Sequence, residues 1–469
     1  MSVAEHYDVA IVGGGIAGLT SGVRLAERGM RVAIFEKGAD ERYPCNTRYS
    51  GGVIHVCFHR VHDDETALLR AVEQKTQGAA KPELARAVAR DARTAVDWLK
   101  GKGIEFQQRG SEAWREATLV PHLPAKPGLH WEGRGSDVLM STLTAAFTKA
   151  GGALVRGATA RRLRMQGDAC VGVDVERDGR SVSIEAPTVI LCDGGFQANH
   201  DLLREFITAA PEKLKQRNAS TGTGDGIRMA REIGAQLVGM DTFYGHLLAQ
   251  EALHNDALWP YPMMDHMCVA GVVVNATGRR FADEGLGGVY LTNRLAHLAD
   301  PLSAVVIFDE RIWNGPGREF VLPANPNLVT AGANLMRAES LASLGAQLGF
   351  PAGALEATVA EYNSALETDG AANLNPPRTT ASHKAYAISQ GPFYAMRLVG
   401  GITFTMGGIA TDDVGRVLNE HNTAIPGLYA AGCTTGGLEG GPKAGYVGGL
   451  AKSATMALRA SDHIAASRV

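Results

Sequence analysis

Short apolar runs that end at glycines alternate with amphipathic stretches in the first part of the chain. Residues 7–12 are apolar and β-branched and lead directly into glycines, whereas residues 17–28 have the spacing of a helix. A second apolar run ends at Glu36, so this region predicts a strand, a tight turn, a helix and a second strand. Residues 82–100 carry an apolar stripe at helical spacing and predict a longer helix that ends at Gly101.

Later runs extend this pattern and add a second type of sheet. Residues 153–156 and 188–191 have the composition of buried strands in a parallel sheet. Residues 163–184 alternate between polar and apolar and turn twice, which predicts an antiparallel meander. A final helix is expected over residues 448–466. The pattern therefore predicts an α/β fold with a Rossmann-like parallel sheet and an antiparallel meander.

The composition of the chain and the order of its predicted elements change twice, and these changes predict the domain boundaries. From about residue 240 the strand–helix alternation fades and prolines, aromatic residues and histidines cluster, and near residue 400 glycine-rich runs return. A chain of 469 residues is also too long for one ordinary core. We therefore expect a Rossmann-like domain formed by residues 1–240 and 404–469, interrupted by an α+β domain over residues 241–403.

The first glycine turn has the spacing of a dinucleotide-binding site. Gly13 allows a tight turn, Gly15 lets the backbone approach a pyrophosphate, and Gly18 lets the helix pack closely on the strand. The helix N-terminus offers N–H groups to phosphates, and an acid at the end of the second strand can bind a ribose. A chance glycine turn is the alternative, since the chain contains 57 glycines. The predicted contacts are Gly13, Gly15, Ile16, Ala17, Gly18, Glu36 and Lys37.

Four further segments place small residues where the backbone could lie against a ligand. One is a polar loop with paired glycines that suits a flat ring, although an ordinary glycine turn remains the alternative. A buried strand ends in Asp-Gly-Gly, and another glycine loop opens a helix beside an acid that could merely cap that helix. The strand and loop before the C-terminal helix are similar. The predicted contacts are Asn46, Thr47, Arg48, Ser50, Gly51, Gly52, Asp193, Gly194, Gly195, Thr223, Gly224, Asp225, Gly432, Cys433, Gly449 and Leu450.

Composition and charge exclude several classes of protein. The net charge of −3, with 20% charged residues, gives no basic surface for nucleic acid. No apolar stretch reaches membrane-spanning length and no signal peptide is visible, so we expect a cytoplasmic protein without membrane insertion. The six cysteines are scattered and form no CxxC pair, which argues against zinc, c-type haem and a disulfide framework. We therefore predict no metal site.

The order of these motifs resembles that of the succinate dehydrogenase/fumarate reductase flavoprotein family across nearly the whole chain. Residues 278–285 and 401–405 are most similar to the tricarballylate dehydrogenase branch, and residues 440–449 also resemble 3-ketosteroid dehydrogenases. The resemblance implies that the nucleotide is FAD and that the inserted domain caps it. It also implies hydride transfer at a carbon next to a carboxylate or ketone carbonyl, with proton transfer at the neighbouring carbon. The electron donor or acceptor stays open.

The resemblance also implies candidate catalytic residues. His246 occupies the position of a substrate-binding histidine, Glu284 that of a carboxylate in proton delivery, and Lys443 lies near the position of a substrate-binding arginine. The acid of the reductases is an arginine, and Trp313 falls near that position here, which argues against fumarate as the substrate. The candidates for substrate binding and proton transfer are therefore His246, Glu284, Arg294, Arg311, Lys443 and Tyr446.

Several alternatives stay open at this point. The chain could be the flavin subunit of a larger electron-transfer complex, in which case another chain would carry the catalytic site. It could also be a desaturase of cyclic ketones, similar to the ketosteroid enzymes. An NAD-dependent dehydrogenase is disfavoured because the later glycine motifs would have no function. Cys45 lies near the position of a covalent flavin link in respiratory relatives, but a non-covalent FAD is preferred.

Overall fold

The computed structural model describes residues 5–467, and its strands belong to three larger sheets and two small ones. Most strands are short, and one of 13 residues spans a whole sheet. The strands are β1 (Glu5–His6), β2 (Val9–Val12), β3 (Val32–Glu36), β4 (Phe106–Gln107), β5 (Thr118–Leu119), β6 (Ala153–Arg156), β7 (Ala158–Gln166), β8 (Ala169–Arg177), β9 (Arg180–Glu185), β10 (Thr188–Leu191), β11 (Lys215–Gln216), β12 (Leu237–Val238), β13 (Phe243–Ala249), β14 (Val272–Val274), β15 (Val305–Asp309), β16 (Met336–Ala338), β17 (Phe393–Thr405), β18 (Gly408–Ile409), β19 (Arg416–Leu418) and β20 (Ala424–Ala430).

The α-helices vary in length from four to 20 residues. No helix within residues 5–467 combines the length and the apolar character that crossing a membrane requires. The helices are α1 (Ile16–Ala26), α2 (Asn46–Tyr49), α3 (Glu65–Thr76), α4 (Pro82–Gly101), α5 (Gly135–Lys149), α6 (His200–Phe206), α7 (Asp225–Glu232), α8 (Asp265–Ala270), α9 (Gly288–Ala296), α10 (Glu310–Asn314), α11 (Ala324–Thr330), α12 (Leu341–Leu348), α13 (Ala354–Glu367) and α14 (Gly449–Ala466).

The central sheet has six strands in the order β19-β20-β10-β2-β3-β6. Strands β20, β10, β2, β3 and β6 run parallel, and the edge strand β19 runs antiparallel. Every residue of β2 and β3 is buried, as expected for strands that are covered on both faces. Helix α1 packs against β3 and contacts α5 and α14. This arrangement confirms the α/β fold with a parallel sheet.

The second sheet is the antiparallel meander, made by β7, β8 and β9, with β1 added in parallel. The meander begins at Ala158, which is earlier than the predicted start at residue 163. The reason is a turn at Gly157, whose φ of 65° lets the chain leave β6 and enter β7 without a longer loop. Gly157 alone therefore connects β6 to β7, where the sequence pattern suggested a longer loop.

The third sheet is built around the long strand β17. Strand β17 pairs antiparallel with β13, β15 and β16, and parallel with β11. A separate apolar core, formed by residues between Leu247 and Val399, lies against this sheet. Because β11 comes from the N-terminal part of the chain, the sheet itself connects the two parts. The division at residues 241 and 403 stays a prediction.

Candidate active site

One large cavity of about 870 Å³ adjoins both the central sheet and the sheet around β17. Its wall contains residues at or just beyond the ends of β2, β3, β10 and β20, so it begins at the carboxyl ends of parallel strands, where open α/β sheets bind ligands. Residues 244–246, 263–269 and 286–289 from the middle of the chain form another part of the wall. A volume of this size falls within the range of small-molecule sites, roughly 300–1,000 Å³.

The segment that joins the end of β2 to the start of α1, residues 12–18, is called the glycine turn below. Gly13 has a φ of 95°, which favours glycine, and a Cβ at Gly18 would stand 2.0 Å from the carbonyl oxygen of Gly13. Helix α1 can therefore start directly against the end of the strand. The Ile16 N–H donates to Thr47 Oγ1 at 3.2 Å, and α1 has no N-cap side chain. Such a helix start at a cavity is a site for phosphate.

Glycines along the wall leave room for an elongated ligand. A Cβ at Gly15 or Gly51 would meet a single side-chain oxygen, at 3.6 Å and 3.9 Å respectively. A Cβ at Gly194 would meet no atom of the protein within 4 Å. At these three positions the backbone itself forms the surface of the cavity, so a flat or extended cofactor can lie against it.

A carboxylate and a lysine stand beside the glycine turn. The two oxygens of Glu36 accept hydrogen bonds from the N–H groups of Gly14 and Gly38 at 2.8 Å and 2.7 Å. Burial raises the pKa of Glu36. The Lys37 ammonium donates to Asp225 at 2.9 Å. An uncapped helix start, an oriented carboxylate and a lysine suit the phosphates and ribose of a dinucleotide, so these residues fit FAD.

Most of the predicted cofactor contacts line the cavity. They come from segments that are distant in sequence. The predicted contacts on the wall are Gly13, Gly15, Ile16, Ala17, Glu36, Lys37, Asn46, Thr47, Ser50, Gly51, Gly52, Asp193, Gly194, Gly195, Asp225, Gly432, Cys433, Gly449 and Leu450.

Four predicted contacts lie off the wall, and each has a structural reason. Gly18 packs against the strand end, and Gly224 precedes α7 with a φ of 71°. Arg48 is buried and binds the carboxylate of Asp137, because a guanidinium removed from water requires an anion. The Thr223 hydroxyl donates to Asp225 and accepts a hydrogen bond from the Lys37 ammonium. These residues shape the site without facing the cavity.

Three polar side chains elsewhere on the wall form a continuous hydrogen-bonded chain. Tyr244 and His246 lie two positions apart on β13, so their side chains share one face of the strand. Tyr244 Oη is 2.9 Å from His246 Nε2, and His246 Nδ1 is 2.6 Å from Asp265 Oδ2. The other oxygen of Asp265 accepts the Leu247 N–H at 2.8 Å. All three members of this Tyr–His–Asp chain line the cavity.

The surroundings decide how the Tyr–His–Asp chain is protonated. Burial lowers the pKa of His246, and the Asp265 carboxylate only partly opposes this, so the imidazole is neutral near pH 7. Burial acts to raise the pKa of Asp265, but the interactions with His246 outweigh burial and lower it. Burial raises the pKa of Tyr244. Ionised Asp265 therefore accepts the Nδ1 proton of His246, and Nε2 accepts the proton of Tyr244.

Two other aromatic rings pack against the ring of Tyr244. The rings of Tyr244 and Tyr446 stack with centroids 4.0 Å apart, and the Phe404 ring lies 5.3 Å from that of Tyr244. The Gly449 N–H donates to Tyr446 Oη at 3.2 Å, and burial raises the pKa of Tyr446. Tyr446 therefore keeps a proton that it can donate to a ligand. This part of the wall, hereafter the aromatic chamber, consists of Tyr244, His246, Asp265, Phe404 and Tyr446.

Two of the predicted catalytic residues, His246 and Tyr446, belong to the aromatic chamber and line the cavity. A third, Lys443, is close to Tyr446 in the sequence but does not line the cavity. Lys443 stands at the tip of a tight turn that is closed by hydrogen bonds between Gly440 and Gly445. The turn carries Lys443 away, so Tyr446 occupies the wall in its place.

The other three predicted catalytic residues also lie off the wall, contrary to the sequence-based assignment. Glu284 is fully buried and forms an ion pair with Arg280 at 2.6 Å. Arg294 is on the exposed face of α9. Arg311 is exposed on α10 and donates to the carbonyl of Ala387 at 2.6 Å. The helical period turns both arginines toward solvent, and Glu284 is enclosed with Arg280, so none of the three side chains reaches the cavity wall.

The sequence did not predict several polar residues of the cavity wall, among them Tyr244, Asp265 and Arg217. A signal was available for Tyr244, because a residue two positions before His246 on a strand shares its face. Asp265 gave no signal, since only the packing of α8 against β13 brings it to His246. Arg217 follows β11, and the pairing of β11 with β17 lets it donate to Thr403 Oγ1 at 2.9 Å. No group of three metal-binding side chains occurs within residues 5–467.

Comparisons with known proteins agree with this geometry. Residues 8–445 match a family model described as FAD binding domain. Vinyl phenol reductase of Lactiplantibacillus plantarum is 26% identical over 94% of this chain and 92% of that protein. NADH:fumarate oxidoreductase of Klebsiella pneumoniae is 28% identical over 94% of this chain, which spans 46% of that longer protein.

A solved structure with a similar fold extends over almost the whole chain. The 3-ketosteroid-Δ4-(5α)-dehydrogenase of Rhodococcus jostii RHA1, in complex with 4-androstene-3,17-dione, has a TM-score of 0.74. The comparison covers 98% of this chain and 97% of that one at 21% identity. At this identity the similarity concerns the fold alone.

Proposed function

Because the chain belongs to the FAD binding domain family, we propose that it is an FAD-dependent oxidoreductase that desaturates, or in reverse reduces, a carbon–carbon bond. This bond lies next to a carboxylate or carbonyl group. The observation that carries the proposal is that the Tyr–His–Asp chain opens into the same cavity as the glycine turn. A redox cofactor and a proton-transfer group in one cavity are what this reaction requires.

The residues at the carboxyl edge of the central sheet would hold the cofactor. The start of α1 would bind the pyrophosphate, Glu36 would bind a ribose, and Gly51 and Gly194 would lie against the elongated molecule. When bound, FAD supplies the acceptance and donation of hydride. The remaining tasks, which are orienting the substrate, excluding water and moving a proton, belong to the side chains of the wall.

In this proposal Tyr244 transfers the proton. During dehydrogenation Tyr244 Oη accepts the proton released by the substrate carbon, while its own proton moves to His246 Nε2. Asp265 stabilises the imidazolium that forms, through the 2.6 Å hydrogen bond to Nδ1. During reduction the same protons move in the opposite direction. The lowered pKa of His246 keeps Nε2 free to accept a proton near neutral pH.

The walls of the aromatic chamber favour a substrate with a planar ring. A ring can stack against Tyr446 and Phe404, as aromatic pairs do at separations of about 4.5–7 Å. The Gly449 N–H already occupies a lone pair of Tyr446 Oη, so this hydroxyl would donate its proton to the carbonyl or carboxylate oxygen of the substrate. That hydrogen bond would polarise the group next to the reacting carbons.

The proposal also includes the organisation and location of the protein. Residues 241–403 would cap the cavity, which is supported by the contribution of His246, Asp265 and residues 286–289 to its wall and by their separate apolar core. The electron donor or acceptor would be a second reactant or protein. The scattered cysteines suit a reducing compartment, and we propose the cytoplasm.

The test compares the FAD-loaded protein with Tyr244→Phe and with Tyr429→Phe. Tyr429 is a matched control, because it also contacts a histidine, His463 at 3.0 Å, but lies off the cavity wall. We expect Tyr244→Phe to lower kcat about 10²–10⁴-fold with unchanged FAD content, and Tyr429→Phe to retain the activity. The readouts are flavin absorbance under anaerobic conditions and reduction of an artificial acceptor.

Two results would contradict the proposed function. One is that no saturated or conjugated acid or ketone changes the redox state of the flavin. The other is that Tyr244→Phe turns over as fast as the wild type. The first result would favour the electron-transfer subunit. The second would show that Tyr244 does not transfer the proton.

A further inference from the structure

Arg217 is a cation on the cavity wall for which the described residues provide no carboxylate. Its guanidinium donates to Thr403 Oγ1 at 2.9 Å and to the carbonyl of Pro260 at 3.3 Å, and contacts Met263 Sδ at 3.6 Å. Its Nε is buried and has no hydrogen-bond partner within residues 5–467. The charge of Arg217 acts on both Tyr244 and His246, which places it beside the Tyr–His–Asp chain.

Two other arginines with little exposed surface are paired with carboxylates. Arg48 binds Asp137, and Arg280 binds Glu284 at 2.6 Å. Removing a guanidinium from water is unfavourable unless an anion accompanies it. Arg217 is partly buried, faces the cavity and lacks this anion, so a ligand that carries a negative charge would complete its surroundings.

Several aromatic rings lie next to Arg217. The Arg217 guanidinium lies 5.9 Å from the ring of Tyr261, and the stacked Tyr244 and Tyr446 are close by. Arg115, on another part of the wall, already binds Glu112 at 2.6 Å. The cations that the family resemblance offered for a second carboxylate lie off the wall. Arg217 therefore presents an unpaired guanidinium beside several rings. Lys75, Arg109, Lys126 and Arg134, elsewhere on the cavity wall, also have no carboxylate partner within residues 5–467.

We propose that Arg217 binds the carboxylate of the substrate, and that the substrate is a monocarboxylate in which the reacting carbon–carbon bond joins that carboxylate to a planar ring. A guanidinium presents paired N–H donors that match the two oxygens of a carboxylate. The ring stacks in the aromatic chamber, and Tyr244 reaches the carbon between the two groups. This inference rests on the proposed function, because it assigns a substrate to the same cavity.

Binding to the FAD-loaded wild-type protein tests this without any variant. Cinnamate, cinnamamide and fumarate are titrated in the absence of an electron donor, and binding is followed by calorimetry and by the change in flavin absorbance. We expect cinnamate to bind at least about 10-fold more tightly than cinnamamide, which has the same ring but no charge. We also expect it to bind more tightly than fumarate, which has two charges and no ring.

Two results of this titration overturn the proposal. Equal affinities for cinnamate and cinnamamide would show that no cation recognises the acid. Tighter binding of fumarate than of cinnamate would show that the ring is not recognised. Turnover is not measured here, so this failure differs from that of the proposed function, which appears as a flavin that no substrate reduces or oxidises.

Variants then assign the charge to Arg217. Arg217→Gln should lower the affinity for cinnamate about 10–100-fold and leave the affinity for cinnamamide within about twofold of the wild type. The affinity of Arg217→Lys for cinnamate should lie between those of Arg217→Gln and the wild type. The matched control is Arg86→Gln on the exposed face of α4, which should change neither ligand. The FAD content and the melting temperature report on the fold. Loss of FAD from a folded Arg217→Gln protein would assign Arg217 to the cofactor and overturn the proposal.

Discussion

The glycine turn and the aromatic chamber line the same cavity, but they are built in different ways. The glycine turn consists of consecutive residues, and it presents backbone N–H groups and the absence of side chains. The aromatic chamber consists of side chains from β13, α8, the end of β17 and the loop before α14. A site made of backbone is therefore contained in one short motif, whereas a site made of side chains depends on how distant segments pack.

The largest expected effect comes from adding one methyl group to the glycine turn. Gly18→Ala places a Cβ 2.0 Å from the Gly13 carbonyl oxygen, so α1 must move away from β2. We expect the purified variant to lose its FAD, measured as the ratio of flavin to protein. Gly101→Ala is the matched control, because its Cβ would enter open space, and its stability should change by no more than about 1 kcal/mol. A Gly18→Ala protein with full FAD would show that the close contact is not required.

The second prediction concerns Glu284, which the sequence predicted to take part in proton delivery and which forms a buried ion pair in the structure. Glu284 and its partner Arg280 are 0% and 5% exposed, so removing the charge leaves a buried cation. We expect Glu284→Gln to lower the free energy of unfolding by about 3–5 kcal/mol, measured by urea denaturation. The kcat per bound FAD should stay within about threefold.

Glu73→Gln, on the exposed face of α3, is the control for this substitution and should stay within about 0.5 kcal/mol of the wild type. A Glu284→Gln protein of normal stability that had lost most of its activity would return Glu284 to the proton path. The catalytic site would then include Glu284 in addition to the residues of the aromatic chamber.

The third and smallest effect is a difference in pH response between the two regions. Burial lowers the pKa of His55 to about 3 and lowers that of His246, so unfolding below about pH 6.5 binds a proton at each. Each histidine then reduces the free energy of unfolding by up to about 1.4 kcal/mol per pH unit as the pH falls. Asp193, beside the glycine turn, acts in the opposite direction, since burial raises its pKa to about 6.

The net expectation is a modest loss of stability as the pH falls from about 6.5 to 4.5, measured by urea denaturation at several pH values. His246→Asn should make this slope shallower, because it removes one of the histidines whose pKa is lowered by burial. His421→Asn, at an exposed position, should leave the slope unchanged. A stability that rises toward acid would mean that Asp193 dominates.

Much of the fold could be predicted from the sequence, because each element depends on local periodicity. The apolar stripe of residues 82–100 appears as α4, and the alternation of residues 163–184 appears as the meander. The exception at Gly157 was a single-residue turn, which leaves no periodic signal. The side chains around the cavity could be predicted only in part, since His246 and Tyr446 line it whereas Glu284, Arg294, Arg311 and Lys443 do not.

The sequence by itself determined the glycine turn, since its function depends on residues that are neighbours in the chain and on side chains that are absent. Only the tertiary structure decided which polar groups share the cavity. Asp265 reaches His246 through the packing of α8, and Arg217 reaches Thr403 through the pairing of β11 with β17. These contacts join segments far apart in sequence, so their geometry exists only after the chain has folded.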